Sequence, residues 1–424
     1  MAITSAEVFL NGTWHTLTYN PGTTRYEATV TAPGTTSWNL PDHIYPMQIR
    51  ATADSGFSTL VTSEDINLGA LLRLRVKETV PPTIGTSSPT NGGYVTNNRP
   101  AITFTLRDAA GGSGVNIASL QIRIDGGAVI AYNASGMVCT AVTGGYDCVY
   151  TPPVGLPDGV RSVAINAADY DGNNAAQATV SFTVDTVDPE VAITWPLTKF
   201  MVDNPIMPIR GFASDLTSAP VTVSIKLNGA DQGVVPLTLE DDVYVFDKTI
   251  ELQRTRNIIT ARATDLSGRW SEYTIEGICL ITDRTQTDVD YAKTNRNMLE
   301  SHKGMYNVLD VNRVGWAVIY IIDLMHLYGN NAAVRYLFPR IDWTRPDIPQ
   351  AADMYIYLSN VVMIKSAFSR LTPLPATINK LAYQGANDIE RLLLEAYDYL
   401  SLYSTALIHS GTRDSGFDME GLRV

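Results

Sequence analysis

VPPTIGTSSPTNG (Val80–Gly92) and VDPEVAITWPLTK (Val187–Lys199) are two versions of one passage, and the spacing between them decides the fold. Pro82 and Pro89 pair with Pro189 and Pro196, each 107 residues further on. The strands that follow end in Asp108 and Asp215, again 107 residues apart. QIRIDGG (Gln121–Gly127) then matches SIKLNGA (Ser224–Ala230). In both, an alternating strand runs into Asp-Gly or Asn-Gly, the dipeptides that favour a two-residue hairpin turn. Late in each copy, INAADYDGN (Ile165–Asn173) matches ARATDLSG (Ala261–Gly268), a strand running out into Asp and a Gly-containing turn. Units of roughly 100 residues, with Val, Ile, Thr and Tyr runs between Gly, Pro, Asn and Asp clusters, predict immunoglobulin-like β-sandwiches.

A third copy opens the chain, with VFLNG (Val8–Gly12) and IRATADSG (Ile49–Gly56) as its landmarks. Its leading Pro-marked strands have no counterpart, so residues 1–79 are expected to form an incomplete sandwich. Full copies are expected over 80–186 and 187–281. Cys139 and Cys148 flank Thr143-Gly144-Gly145 and can face each other across a hairpin; the sequence leaves open whether they are bonded.

At roughly 150 residues per domain, a chain of 424 has room for about three domains. With 43 acidic against 31 basic residues the net charge is −12, which excludes a general nucleic-acid binder, since phosphate backbones demand clustered Lys and Arg. Charge also marks a boundary. Met1–Ile281 holds 17 basic and 27 acidic residues, whereas Thr282–Val424 holds 14 and 16. At the same point the period changes to three and four, which predicts an all-α segment over 282–424.

Thr285 is placed to cap a first helix running to His302, with Asp288 completing a capping box. A second helix is expected from Asp310 to Tyr328, apolar nearly all round and too short for a membrane span, hence buried and central. Gly329-Asn330-Asn331 would stop it. A third is expected over Gln350–Leu371, ended by Pro373 and Pro375, and a fourth over Ala386–Tyr403.

TDRTQTDVDYAK (Thr282–Lys293), KGMYNVLDVNRVGWAVIYI (Lys303–Ile321) and LPATINKLAYQGANDIERLL (Leu374–Leu393) resemble the C-terminal module of structural proteins in tailed phages of Firmicutes. Those proteins also carry immunoglobulin-like repeats. The resemblance implies a non-enzymatic virion component of the tail or baseplate, repeated around the tail axis as a homo-oligomer and docked to other tail or baseplate proteins through apolar helices that are expected to finish burying themselves only against neighbouring subunits. Within the motifs, Asn312, Arg313, Trp316, Asn387 and Asp388 are the candidates for that assembly interface. The opening MAITSAEVFLNG shows neither a basic n-region nor an apolar h-region. The expectation is therefore a particle assembled in the host cytoplasm, without membrane attachment, rather than the alternative of a bacterial cell-surface adhesin.

Catalytic patterns do not emerge. The five histidines lack zinc-ligand spacing, GGSG (Gly111–Gly114) is a turn, and neither a phosphate cradle nor a dinucleotide fingerprint occurs. No enzymatic role and no cofactor are expected. DYDGNN (Asp169–Asn174) offers Asp169, Asp171 and Asn173 as oxygen ligands at alternate positions for calcium; Asx-turns explain the same residues equally well. Trp14, Trp38 and Trp270 are the candidates for stacking on a host cell-wall saccharide, in an adhesive or receptor-binding role. Edge or core packing is the competing reading for each of them.

Overall fold

The computed structural model describes the chain except residues 1, 220–221, 242, 296–302, 305, 329–335, 345, 348–349, 369, 376–381 and 410–424, and except the side chains of 403–409. The expected helix end at His302, the stop at Gly329–Asn331 and the tail beyond His409 lie outside the described residues. Contacts divide the chain into two compact units, Met1–Val187 and Asp188–Val424.

The first copy is one sheet, not a sandwich. Five antiparallel strands pair in the order Arg25–Glu27, Thr13–Asn20, Ile3–Leu10, Gln48–Ala53, Ser58–Thr62. The other ladder in this copy joins only Tyr45–Pro46 to Arg73–Leu74. Between Glu27 and Tyr45 the chain forms no strand, where the second copy has the Met137–Val142 and Gly145–Tyr150 hairpin of its other sheet. Ala6, Val8 and Leu10 alternate inward along the central strand, and Ile44, Tyr45 and Leu72 are buried in the same copy.

The second copy is a full sandwich. One sheet runs Met137–Val142, Gly145–Tyr150, Ile102–Arg107, Thr83–Ser88; the other runs Ile130–Ala131, Val115–Ile124, Gly159–Asp169, Ala178–Val184, Gly93–Val95. Strict alternation of buried and half-buried residues along Ile102–Arg107 puts Phe104 and Leu106 into the core with Ile122, Val163, Ile165 and Phe182. Cys139 and Cys148 sit directly opposite each other on adjacent strands and form a disulfide, with Cα atoms 4.2 Å apart.

The third copy repeats this plan. Its sheets run Glu190–Trp195, Ile206–Ser214, Val243–Glu251, Thr238–Glu240 and Lys199–Val202, Trp270–Cys279, Arg256–Thr264, Thr222–Leu227, Ala230–Val235. The matched hairpins are conformationally identical in all three copies. Asn11-Gly12, Asp125-Gly126 and Asn228-Gly229 all take positive φ at both positions (50° and 81°, 50° and 69°, 51° and 81°), the mark of a type I′ turn.

Among the described residues four helices follow: α1 (Gln286–Thr294), α2 (Val308–Leu327), α3 (Ala351–Ala367) and α4 (Tyr383–His409). Thr285 and Asp288 form the expected capping box on α1. A second box starts α2, where Asn307 and Asp310 cap a turn earlier than the sequence reading placed it. The helices do not stand apart from the sheets. Val314, Ala317, Val318, Ile321, Ile322 and Met325 of α2 share one core with α3, α4 and the third sandwich's Met201, Ile278 and Leu280. This corrects the expectation of helices that finish their burial only against neighbouring subunits. Their apolar faces are covered within the chain, because the outer face of the Lys199–Val202 and Trp270–Cys279 strands is itself apolar where they lie.

A Cβ on Gly277 would sit 2.2 Å from Cζ of Phe200, with both Cε atoms at 2.3 Å, so the ring has no simple way to swing clear. Phe200 belongs to the third sandwich's core. Gly277→Ala is expected to cost about 1–3 kcal/mol by overpacking, read as a lowered urea midpoint at unchanged m-value.

Candidate functional site

The most heavily built polar cluster in the second unit is sealed. The chain leaves the last strand through Ile281–Arg284, and Arg284 turns inward instead of toward water. Its Nη1 donates to Ile281 O at 2.7 Å, and its Nη2 donates to Asp310 Oδ1 and Glu390 Oε1, each at 2.7 Å. Arg313, one turn along α2, donates from Nε to Glu390 Oε2 (2.8 Å), from Nη2 to Glu390 Oε1 (2.7 Å) and to Asp310, and from Nη1 to Arg254 O (2.7 Å). Ile281 N adds a further bond to Glu390 Oε2 at 2.7 Å. Asn387 clamps the Arg284 backbone, accepting from its N–H at 3.1 Å and donating to its carbonyl at 2.9 Å.

Arg284, Asp310, Arg313 and Glu390 are 4%, 3%, 1% and 0% exposed, so the quartet is fully dehydrated. Its charges cancel. Burial pushes Glu390 up, but the Arg313 and Arg284 guanidiniums and the Ile281 amide outweigh that and hold it below the ordinary glutamate value. Burial alone pushes Arg313 down, and the two carboxylates reverse this and raise it. Beside the quartet, Tyr306 and Tyr357 share a hydroxyl–hydroxyl bond of 2.5 Å, and both phenols are raised chiefly by burial. The chemistry of such an arrangement is mechanical: it locks the interdomain linker, α2 and α4 to the Arg254 loop of the third sandwich.

That geometry revises the expected assembly residues. Arg313 and Asn387 face inward and belong to the joint, so neither offers a surface to a neighbour. Asn312 pairs with the backbone of Trp343, donating to its O and accepting from its N at 2.9 Å each. Trp316 is half-buried with the Arg256 guanidinium 4.3 Å from its ring centre, and Asp388 is half-buried. Arg284 and Glu390, the two partners that make the joint, were not singled out from sequence. Both lie inside the quoted motifs, but nothing local signals that a linker arginine meets a glutamate far along the chain.

The tryptophans are also redistributed. Trp38 cannot stack on a sugar, because its two ring neighbours are His43 (centroids 4.0 Å, 6° between planes) and Tyr170 (4.8 Å, 12°). Trp14 is half-buried against Phe9, with Arg50 4.6 Å from its ring centre. Trp270 remains exposed at 48%, with Arg262 over its ring at 3.9 Å. No ring contact joins Trp14 to Trp38 among the described residues.

Asp169, Asp171 and Asn173 do not form a ligand set. Asn173 donates to Asp169 twice, from N to Oδ1 (2.8 Å) and from Nδ2 to Oδ2 (2.7 Å). Asp171 Oδ2 accepts from Thr36 Oγ1 and from Glu78 N. The alternate acidic positions serve the turn and the junction with the first copy, as Asx-type bonding does. The carboxylates that converge are instead Glu78, Asp108 and Asp169, with one oxygen of each within 4.8 Å of the others. Ser113 N, Ala109 N and Gly114 N donate into this group, so it too is met by the chain's own amides.

Between α2 and the strand Trp270–Cys279 lies a cavity of about 210 Å³ lined by Lys199, Arg256, Glu276, Trp316, Tyr320 and Asp323. It is smaller than the roughly 300–1,000 Å³ of typical ligand clefts. Its cations are paired, Lys199 with Asp323 at 3.6 Å and Arg256 Nε with Glu276 at 3.0 Å.

No protein-family model and no curated protein sequence matches the chain. Among solved structures, the fibronectin(III)-like modules of Clostridium thermocellum CbhA align at 14% identity, over 47% of this chain and 94% of theirs, with a TM-score of 0.28. The titin domains z1z2, solved in complex with telethonin, align at 18% identity over 48% and 98%, TM-score 0.19. The N-terminal Ig1-2 module of the Drosophila receptor protein tyrosine phosphatase DLAR aligns at 15% over 48% and 100%, TM-score 0.20. Scores this low decide nothing; the immunoglobulin-like sandwich assignment rests on the paired sheets.

Removing one member of the quartet leaves an unpaired buried charge. Glu390→Gln is expected to destabilise the second unit by about 3–5 kcal/mol, whereas Arg313→Met combined with Glu390→Leu costs much less, by thermal and urea unfolding. Because the folded value of Glu390 lies below its ordinary 4.5, its contribution is fully present above that pH. It disappears as the pH falls through the lowered folded value, so acid titration of wild type and Glu390→Gln should converge at the acidic end.

Proposed function

We propose that the chain is a non-enzymatic structural component of a bacteriophage virion, associated with the tail or baseplate, whose immunoglobulin-like copies are presented to the outside. One observation supports this reading above others. The three motifs that carry the resemblance to tailed-phage proteins are the segments that build the joint: Arg284 comes from the first, Asp310 and Arg313 from the second, Asn387 and Glu390 from the third. The resemblance is thus one of a single three-dimensional module, and that module is a rigid mount for a sandwich. A disulfide between Cys139 and Cys148 fits a domain that ends up outside the reducing cytosol, where virion and cell surfaces keep such bonds. Host-surface adhesion falls to exposed groups such as Trp270, since the faces of Trp38 are taken.

Antibody raised against the full chain should decorate tails or baseplates of particles purified from the lysed cells that encode it, seen by immunogold electron microscopy. Peptides of the chain should copurify with those particles through a density gradient. Recovery in the cell-wall fraction, with none on particles, would replace the virion reading by the adhesin one.

A further inference from the structure

Each full sandwich ends two strands in aspartate at the same pole, one from each sheet. In the third copy these are Asp215, after Ile206–Ser214, and Asp265, after Arg256–Thr264. The corresponding pair in the second copy is Asp108 and Asp169. The turns after Asp169 and Asp265 share their backbone: each aspartate N–H donates to the carbonyl four residues on, Asn173 or Arg269, at 3.1 Å. In each, the N–H of that fourth residue returns a bond to Oδ1, at 2.8 Å and 2.9 Å.

They part at one side chain. Asn173 Nδ2 fills Asp169 Oδ2 at 2.7 Å. Arg269 stands in its place, and its Nη2 goes instead to Asp188 at 2.8 Å. Asp265 Oδ2 is left buried without a donor, in a residue only 4% exposed. Asp215 brings a carboxylate oxygen within 4.8 Å of an Asp265 oxygen, and its Oδ1 is held by Thr217 N and Ser218 N. Neither aspartate belongs to an ion pair among the described residues. Buried charges are as a rule paired or bound to a metal. Among the described residues, Asp265 has hydrogen bonds from Arg269 N and Ser267 Oγ at Oδ1 alone, and no cation at either oxygen.

We propose that the pole of the third sandwich holds one calcium ion between Asp215 and Asp265, and that the orphaned Asp265 Oδ2 is its innermost ligand. Calcium suits the place better than magnesium. It accepts about six to eight oxygens in irregular geometry, so two carboxylates, nearby turn oxygens and water suffice, whereas magnesium demands a near-ideal octahedron. The second sandwich does not repeat the site, because the Asn173 amide already occupies the equivalent oxygen.

The test is calcium titration of the full-length chain by isothermal calorimetry, with the unfolding midpoint followed in EGTA and in millimolar calcium. One ion per chain is expected, at an affinity of about 10⁻⁴–10⁻³ M or tighter, with a higher midpoint when bound. Arg269→Asn rebuilds the second sandwich's turn and places an amide on Oδ2. It is expected to fold and to weaken binding at least about tenfold, or 1.4 kcal/mol. Asp265→Asn should abolish binding. No bound calcium in wild type, two ions per chain, or unchanged affinity in a folded Arg269→Asn variant would each overturn the assignment. The first of these results would leave Arg269 Nε, the neighbouring donor that also lacks a partner, to satisfy Asp265.

Discussion

Two arginines and two carboxylates, all buried, hold the second unit in one arrangement. Desolvating such charges costs several kcal/mol each, and their attraction repays it only when the geometry satisfies nearly every donor and acceptor. Here Glu390 accepts from both guanidiniums and from a backbone amide, and Asp310 bridges the same two guanidiniums. The apolar core shared by α2, α3, α4 and the third sandwich supplies most of the driving force, but it is non-directional. A helix can slide along an apolar face at modest loss. It cannot slide while Arg313 reaches one carbonyl of the Arg254 loop and both oxygens of a glutamate on another helix. The joint therefore sets the register that the greasy faces leave undetermined.

The sandwiches show the opposite strategy, in which local sequence does nearly all of the specifying. Three hairpins with three different partners close on the same type I′ turn because Asn-Gly and Asp-Gly tolerate positive φ at both positions. Alternation then sorts each strand's side chains between core and solvent, as along Ile206–Ser214. The first copy shows the same local rules at work in one five-stranded sheet, with only a two-stranded ladder besides it.

This difference explains how far the sequence could be read. Turns, alternation, the Thr285 capping box and the all-round apolarity of α2 act over a few residues, and all were legible. The Asn307 cap is hidden because Asp310, its reciprocal partner at the third helical position, is itself a good helix start by sequence. Charged and amide side chains in a helix normally face water, so Arg313 and Asn387 carry no local sign of burial. Only their distant partners, Arg284 and Glu390, reveal otherwise. Trp38 was legible as an aromatic on a loop, yet the ring that closes its second face, Tyr170, belongs to another copy. The acidic turn at Asp169 carried the right residues for a metal, but its side chains are consumed by the turn's own amides, which spacing alone does not show.

If the helical module is a mount, its contacts with neighbours must use what the joint and core leave outside. Among the described residues, the exposed large apolar side chains on α3 are Tyr355 (67%) and Val362 (50%), seven positions apart and so on one face; on α4 they are Tyr399 (45%) and Leu402 (68%). Tyr399 also stacks on Phe368 at the end of α3, with ring centres 6.2 Å apart. Such a surface is small beside the continuous apolar face of α2. A partner meeting it adds to a module already folded rather than completing one. Assembly through such a surface would therefore order subunits without being needed to fold them.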